Sequence, residues 1–227
     1  MVRIVFALYP GVTHLDFTGP QQFLSRLPDS EVIVASVTGE PIASDGLTFS
    51  NLSKLADIEG CDVLCVPGGF GVTDAIQDEA FMDEIRRLGE GARYLTSVCT
   101  GSLALGAAGF LVGKRAACHW AWRELLTPFG AIVDEGRVVR DGNIITGGGV
   151  TAGIDFALVL IAELAGPQMA QAIQLGLEYA PAPPFNAGRP ETAPAGVLAM
   201  VRDRMDAAAG ERRGAVEAAA RRLAVVA

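Results

Sequence analysis

Four cysteines, two histidines and scattered carboxylates make up the nucleophile and acid–base inventory of this 227-residue chain. One cysteine stands apart by its setting. Cys99 lies in Ser97-Val98-Cys99-Thr100-Gly101-Ser102, where β-branched and aromatic residues up to Val98 give way to small apolar residues after Ser102. That change of pattern predicts a buried strand turning sharply into a helix at Cys99. Ser97 two residues before and Gly101 two residues after match the spacing of a nucleophile elbow, with cysteine in place of serine. Such a corner drives its central residue to φ > 0, a strain of about 1–3 kcal/mol that is found mainly at functional sites. The following helix would aim its first N–H groups and positive end at the sulfur, so a thiolate nucleophile is expected.

Asp16 is a lone carboxylate that is a further candidate for chemistry. It follows the apolar run 3–9 and the breaker Pro10-Gly11, and Pro20 suits a first helical position with Thr18 or Gly19 as cap. Asp16 is therefore expected in the loop at the carboxyl end of the first strand, where ligands bind in open α/β sheets. A simple loop or cap carboxylate is the plainer alternative. The run 63–66 reads as another buried strand, ended by Pro67-Gly68-Gly69-Phe70-Gly71, whose glycines would let backbone N–H groups face a small site. Neither a dinucleotide fingerprint nor a phosphate loop is present there.

The other cysteines and histidines suggest little chemistry. Cys61 and Cys65 are too widely spaced along an apparent strand for a zinc turn, and Cys118-His119 lacks further ligands, since His14 falls in a distant loop. No metal is expected. His119, between a cysteine and Trp120, reads more readily as a hydrogen-bonded core histidine than as a base.

The elements that must hold these residues alternate between strand and helix patterns. Residues 31–37 read as a second strand, 41–50 as a small hairpin about Asp45-Gly46, 78–88 as an amphipathic helix, and 118–126 as a helix. Short strands are expected about Asp141-Gly142-Asn143, then a glycine loop at 147–149, a long apolar helix carrying Asp155, and a further helix at 168–177. The proline-rich stretch 178–188 should run extended over the surface, and the Ala/Arg/Glu tail from 193 should form one or two exposed helices with a break near Gly210. The alternation predicts a doubly wound α/β fold with a mostly parallel sheet, helices on both faces and a helical C-terminal tail.

Composition narrows the partners. With 18 basic and 26 acidic residues the formal charge is −8, so nucleic acid and anionic membranes are not expected partners. The apolar start is too short for a span or a signal peptide, and four irregularly placed cysteines suit a reducing compartment, so a cytoplasmic protein is expected.

Leu15-Asp16-Phe17-Thr18-Gly19-Pro20, Val66-Pro67-Gly68-Gly69, Ser97 to Ser102 and Thr146 to Asp155 together resemble the DJ-1/PfpI superfamily. The resemblance covers most of residues 1–190 as one α/β domain of flavodoxin-like fold, with 191–227 as its helical extension. Within the superfamily, the pattern through 178–188 is most similar to enzymes that hydrate isocyanides to N-substituted formamides. It implies a homodimer, an isocyanide substrate and no cofactor, with Cys99 as nucleophile, Asp16 as its acidic partner, and backbone donors at Gly69 and Thr100. Branches acting as proteases or glyoxalases often carry histidine directly after the cysteine, or glutamate as its partner. Thr100 and Asp16 hold those positions here, so a Cys-His dyad and peptidase activity are not expected. A DJ-1-like glyoxalase or redox role through the same cysteine is the alternative. The regulator branch needs a DNA-binding region longer than the alanine-rich tail allows, and the chain as a whole is acidic.

Overall fold

The computed structural model describes residues 1–226, with side chains described through Leu223. In chain order the elements are β1 (Val2–Leu8), α1 (His14–Leu24), β2 (Ser30–Ser36), β3 (Ile42–Ser44), β4 (Leu47–Phe49), β5 (Ser53–Lys54), β6 (Val63–Val66), α2 (Val72–Ala75) and α3 (Glu79–Gly91). There follow β7 (Tyr94–Val98), α4 (Gly101–Ala107), β8 (Arg115–Ala116), a 3-10 helix (Arg123–Phe129), β9 (Ile132–Val133), β10 (Val138–Asp141) and β11 (Ile144–Gly147). Four helices close the chain: α5 (Ala152–Ala165), α6 (Pro167–Gly176), α7 (Ala195–Asp206) and α8 (Ala209–Val226).

A seven-stranded sheet runs β10-β11-β7-β6-β1-β2-β5, parallel throughout except for the β10–β11 hairpin. β6 is buried at every residue and β1 from Ile4 onward, which is why both read as continuous apolar runs and not as alternation. After β1 the chain builds outward through β2 and β5, then returns to place β6 on the other side of β1. That reversal opens a crevice at the carboxyl ends of β1 and β6, the usual ligand position in such sheets.

The local signals act as expected in several places. Asp78 caps α3 by accepting from the N–H groups of Ala80 and Phe81 at 3.0 and 3.3 Å, and the helix buries Phe81, Met82, Ile85 and Leu88. Asp45 and Gly46, at φ +49° and +82°, form the β3–β4 turn. The apolar helix α5 packs along α1 through Gly153, where an added Cβ would lie 3.0 Å from the Pro20 ring. Residues 180–186 are irregular and exposed apart from half-buried Tyr179 just before them.

Three expectations need correction. The first helix begins at His14, not at Pro20, so Asp16 occupies its first turn; Pro20 lies inside the helix. Thr13 provides the extended residue that starts α1, and Thr18 donates to the His14 carbonyl at 2.9 Å. Residues 118–122 are not helical. The chain leaves β8 through Ala117, whose N–H donates to Thr146 Oγ1 on β11 at 2.7 Å, and stays irregular, with the Ala121 N–H on His119 Nδ1, until the 3-10 helix begins at Arg123. Finally, the tail breaks at Ala207 and Ala208, near Gly210 as expected, but of its two helices only α7 is without buried residues. α8 buries Arg212, Ala215, Val216 and Ala219, which lie three and four residues apart on one face.

Candidate active site

The corner between β7 and α4 is the predicted elbow. Cys99 has φ +57°, its N–H donates to the Gly147 carbonyl of β11 at 3.1 Å, and its carbonyl accepts from Ser102 Oγ at 3.2 Å. Both bonds hold the left-handed residue against its roughly 1–2 kcal/mol strain. Gly101 is required by packing, since a Cβ there would lie 2.0 Å from the Val66 carbonyl oxygen. The elbow thus presses directly on the end of β6.

The loops after β1 and β6 are closed onto each other. Thr13 N–H donates to the Gly68 carbonyl at 2.8 Å, Gly71 N–H to the Gly11 carbonyl at 3.1 Å, and Val12 bridges Gly69. Buried Tyr9 adds a bond from its hydroxyl to the Pro67 carbonyl at 2.8 Å. Gly68 then meets the catalytic candidates: its N–H donates to Asp16 Oδ2 at 2.9 Å, and a Cβ on it would fall 2.5 Å from Thr100 N and 2.8 Å from Asp16 Oδ2. Only glycine allows Asp16, Thr100 and the loop to converge this closely.

Asp16 is fully buried, and its Oδ1 has no hydrogen-bond partner among the described residues. Burial pushes its carboxyl up to about 7, against the opposing pull of the Gly68 N–H and the neighbouring Cys99 thiol. Cys99 is held well above the ordinary thiol range, first by burial and then by Asp16 and Cys118, while the Thr100 N–H and Arg212 act in the opposite direction. The expected thiolate is therefore corrected. The sulfur is too buried, and the seven-residue α4 too short, for a helix end to outweigh desolvation and a carboxyl neighbour. One proton shared by Cys99 and Asp16 is the state this environment favours near neutrality.

The two backbone donors fare differently. The Thr100 N–H acts on the Cys99 thiol in the direction that favours its charged form. The Gly69 N–H is already taken by Thr100 Oγ1 at 3.0 Å, so Gly69 does not present a free donor to the cavity; its φ of +150° serves the loop closure.

A cavity of roughly 110 Å³ opens over the sulfur. Phe70, Trp122, Val150 and Met205 form its apolar walls, and Thr13, His119 and Arg212 bring polar atoms. His119 accordingly lines the site and is not a core residue. Its Nδ1 accepts from the Ala121 N–H at 3.3 Å, and burial, then Arg212, lower its pKa, so it is neutral. Arg212 and Met205 come from the tail that the sequence reading left exposed. A signal was present: Arg212, Ala215, Val216, Ala219 and Leu223 repeat at helical spacing and place the arginine on the apolar face of α8.

The DJ-1/PfpI family pattern matches residues 2–163, a span that includes Asp16, the Gly68–Gly69 loop and the Cys99 corner. The chain belongs to the DJ-1/PfpI family. It is 50% identical over 223 residues to the isonitrile hydratase of Pseudomonas putida, covering 98% of both chains. The fold of a ThiJ/PfpI family protein from Pseudomonas syringae superposes with a TM-score of 0.90 at 40% identity, over 96% of this chain and 90% of that one. A helix-turn-helix transcriptional regulator of Pseudomonas aeruginosa is 35% identical over 60% of this chain but over only 41% of its own length. The similarity to the hydratase runs nearly the full length of both chains, whereas that to the regulator covers less than half of the regulator. Among the described residues no helix is long and apolar enough to cross a membrane.

Proposed function

We propose that the protein is a cofactor-independent isocyanide hydratase in which Cys99 forms a covalent thioimidate. The observation that carries this reading is the left-handed Cys99 beside a buried carboxyl whose second oxygen is unbonded, in a chain half identical to a relative named for isonitrile hydration. The terminal carbon of an isocyanide accepts both a nucleophile and a proton, so one sulfur and one acid that share a proton suffice. The Cys99 sulfur forms a bond to that carbon as the proton held with Asp16 passes to the same carbon, giving R–N=CH–S–Cys99. Water then adds to the carbon. Asp16 takes one proton from the water and passes it to the nitrogen, giving R–NH–CH(OH)–S–Cys99. The carbon–sulfur bond breaks as the hydroxyl loses its proton, R–NH–CHO departs, and the pair regains its shared proton.

Thr100 contributes twice in this scheme. Its N–H stabilises negative charge as it gathers on sulfur during departure, and its hydroxyl, bonded to both N–H and C=O of Gly69 at 3.0 and 3.2 Å, holds the loop that positions Asp16. A homodimer belongs to the same reading, supported by exposed Phe185 and Leu175, and light scattering at micromolar concentration should give twice the monomer mass.

The deciding experiment follows an aryl isocyanide by absorbance and its N-formamide by mass spectrometry, without added metal or nucleotide. Turnover is expected and Cys99→Ala should abolish it. Persistence of the isocyanide while methylglyoxal is consumed through Cys99 would assign the site to glyoxal chemistry instead.

A further inference from the structure

Arg212 is 3% exposed, yet it takes part in none of the ion pairs among the described residues. Its Nε reaches Thr73 Oγ1 at 3.4 Å, and no hydrogen bond from either Nη group is found among those residues. The guanidinium carbon stands 4.2 Å from the centre of the Trp122 ring and 5.6 Å from that of Phe70. Those two faces offset part of the cost of burying a cation, but they accept no N–H in the guanidinium plane. The remaining donors border the cavity over Cys99, where Thr13 and His119 bring the other polar side chains and Val150 and Met205 apolar ones.

The reacting group of an isocyanide does not satisfy Arg212. Its terminal carbon must meet the sulfur, to which Arg212 makes no hydrogen bond, so the guanidinium faces the substituent. A planar fork of N–H donors matches the two oxygens of a carboxylate better than any single acceptor. A cavity of roughly 110 Å³ admits a compact acid. The geometry points to Arg212 as the site for a substrate carboxylate, so that the preferred substrates are small isocyanides bearing a carboxylate on their substituent. The site rests on the hydration reading for its substrate class, though the anion-binding chemistry does not.

Two ratios test it. The first compares kcat/KM for isocyanoacetate with that for methyl isocyanoacetate, in which the charge is masked. The second compares alkylation of Cys99 by iodoacetate and by iodoacetamide, read by peptide mass, and needs no hydration. Arg212→Gln should lower both ratios about 10- to 100-fold, the range expected for charge-assisted hydrogen bonds. Arg212→Lys, which keeps the charge and loses the fork, should lower them less and serves where the glutamine variant fails to fold. If kcat/KM falls equally for acid and ester, or if both ratios are unchanged in a folded variant, the carboxylate site is overturned. If the alkylation ratio falls while neither isocyanide is hydrated by the native protein, the anion site stands and the hydration reading fails.

Discussion

The Gly68 N–H donates to Asp16 Oδ2 at 2.9 Å, which leaves Oδ1 the buried oxygen of the pair without a bond. Division of labour follows within one carboxyl. Oδ2 fixes its position, and Oδ1 is free to carry a proton between sulfur, carbon and water.

Asp16→Asn keeps the acceptor for Gly68 and removes the proton carrier, so turnover should fall about 10²- to 10⁴-fold. The same change should stabilise the fold at alkaline pH. The folded carboxyl titrates near 7 against 3.8 for the free group, so the folded state holds its proton longer than the unfolded chain. Stability from this group is complete below about pH 4 and is lost as pH rises through about 7. At pH 8 the asparagine variant should gain roughly 1–4 kcal/mol over the native protein, with little gain at pH 4. Thermal melts at the two values measure it, and a variant less stable at pH 8 would contradict the buried-acid account.

Activity should rise with pH through about 7 as the Cys99–Asp16 pair goes from two protons to one. Tyr9 and Cys118 beside the pair are held protonated by burial, and Arg212 remains cationic, so none of them should add a step near neutrality. A kcat/KM profile between pH 5 and 9 gives the apparent value, and in Asp16→Asn the rise near 7 should disappear.

Cys99 should be alkylated before the other three cysteines. Burial pushes all four thiols up, so access and not acidity sets the order, and of the four only Cys99 lines the cavity. Brief iodoacetamide treatment followed by peptide mapping checks the order. Earlier labelling of Cys118 would mean that access to the cavity does not govern reactivity.

What was legible in the sequence is what the local backbone dictates. The Cys99 corner, the Pro67-Gly68-Gly69 loop and the buried β6 each carry their signal within a few residues, through small side chains or an unbroken apolar run. Asp16 was found but misplaced, because Pro20 reads as a helix start and the structure tolerates it inside α1. Residues 118–122 carry a helical pattern, but their path continues from β8, whose Arg115 and Ala116 pair with Ile132 and Val133 of β9, a contact from further along the chain. Arg212 escaped for the same reason in stronger form. Its role depends on where α8 docks, and that docking is set by contacts with α2, α4 and the 3-10 helix.

The strain at Cys99 gives a test that needs no substrate. Cys99→Gly and Cys99→Ala should both be inactive, but only glycine occupies φ +57° without a Cβ penalty. The glycine variant should therefore be more stable than the alanine variant by about 1 kcal/mol. Equal denaturation midpoints would mean that the corner stores little strain.

Because the cover of the nucleophile is carried by α8, the ribosome makes Cys99 113 residues before Arg212. The corner is held only once β11 supplies the Gly147 carbonyl, 65 residues before Arg212, so at about 5–20 residues per second roughly 3–13 s pass before the helix that closes over it has been synthesised. During that interval the sulfur has its carboxyl partner but lacks its roof, so a nascent chain is more open to electrophiles and oxidants than the finished protein. Translation pauses within the last thirty residues would lengthen this exposure, and fast completion of the tail is a form of chemical protection for the cysteine.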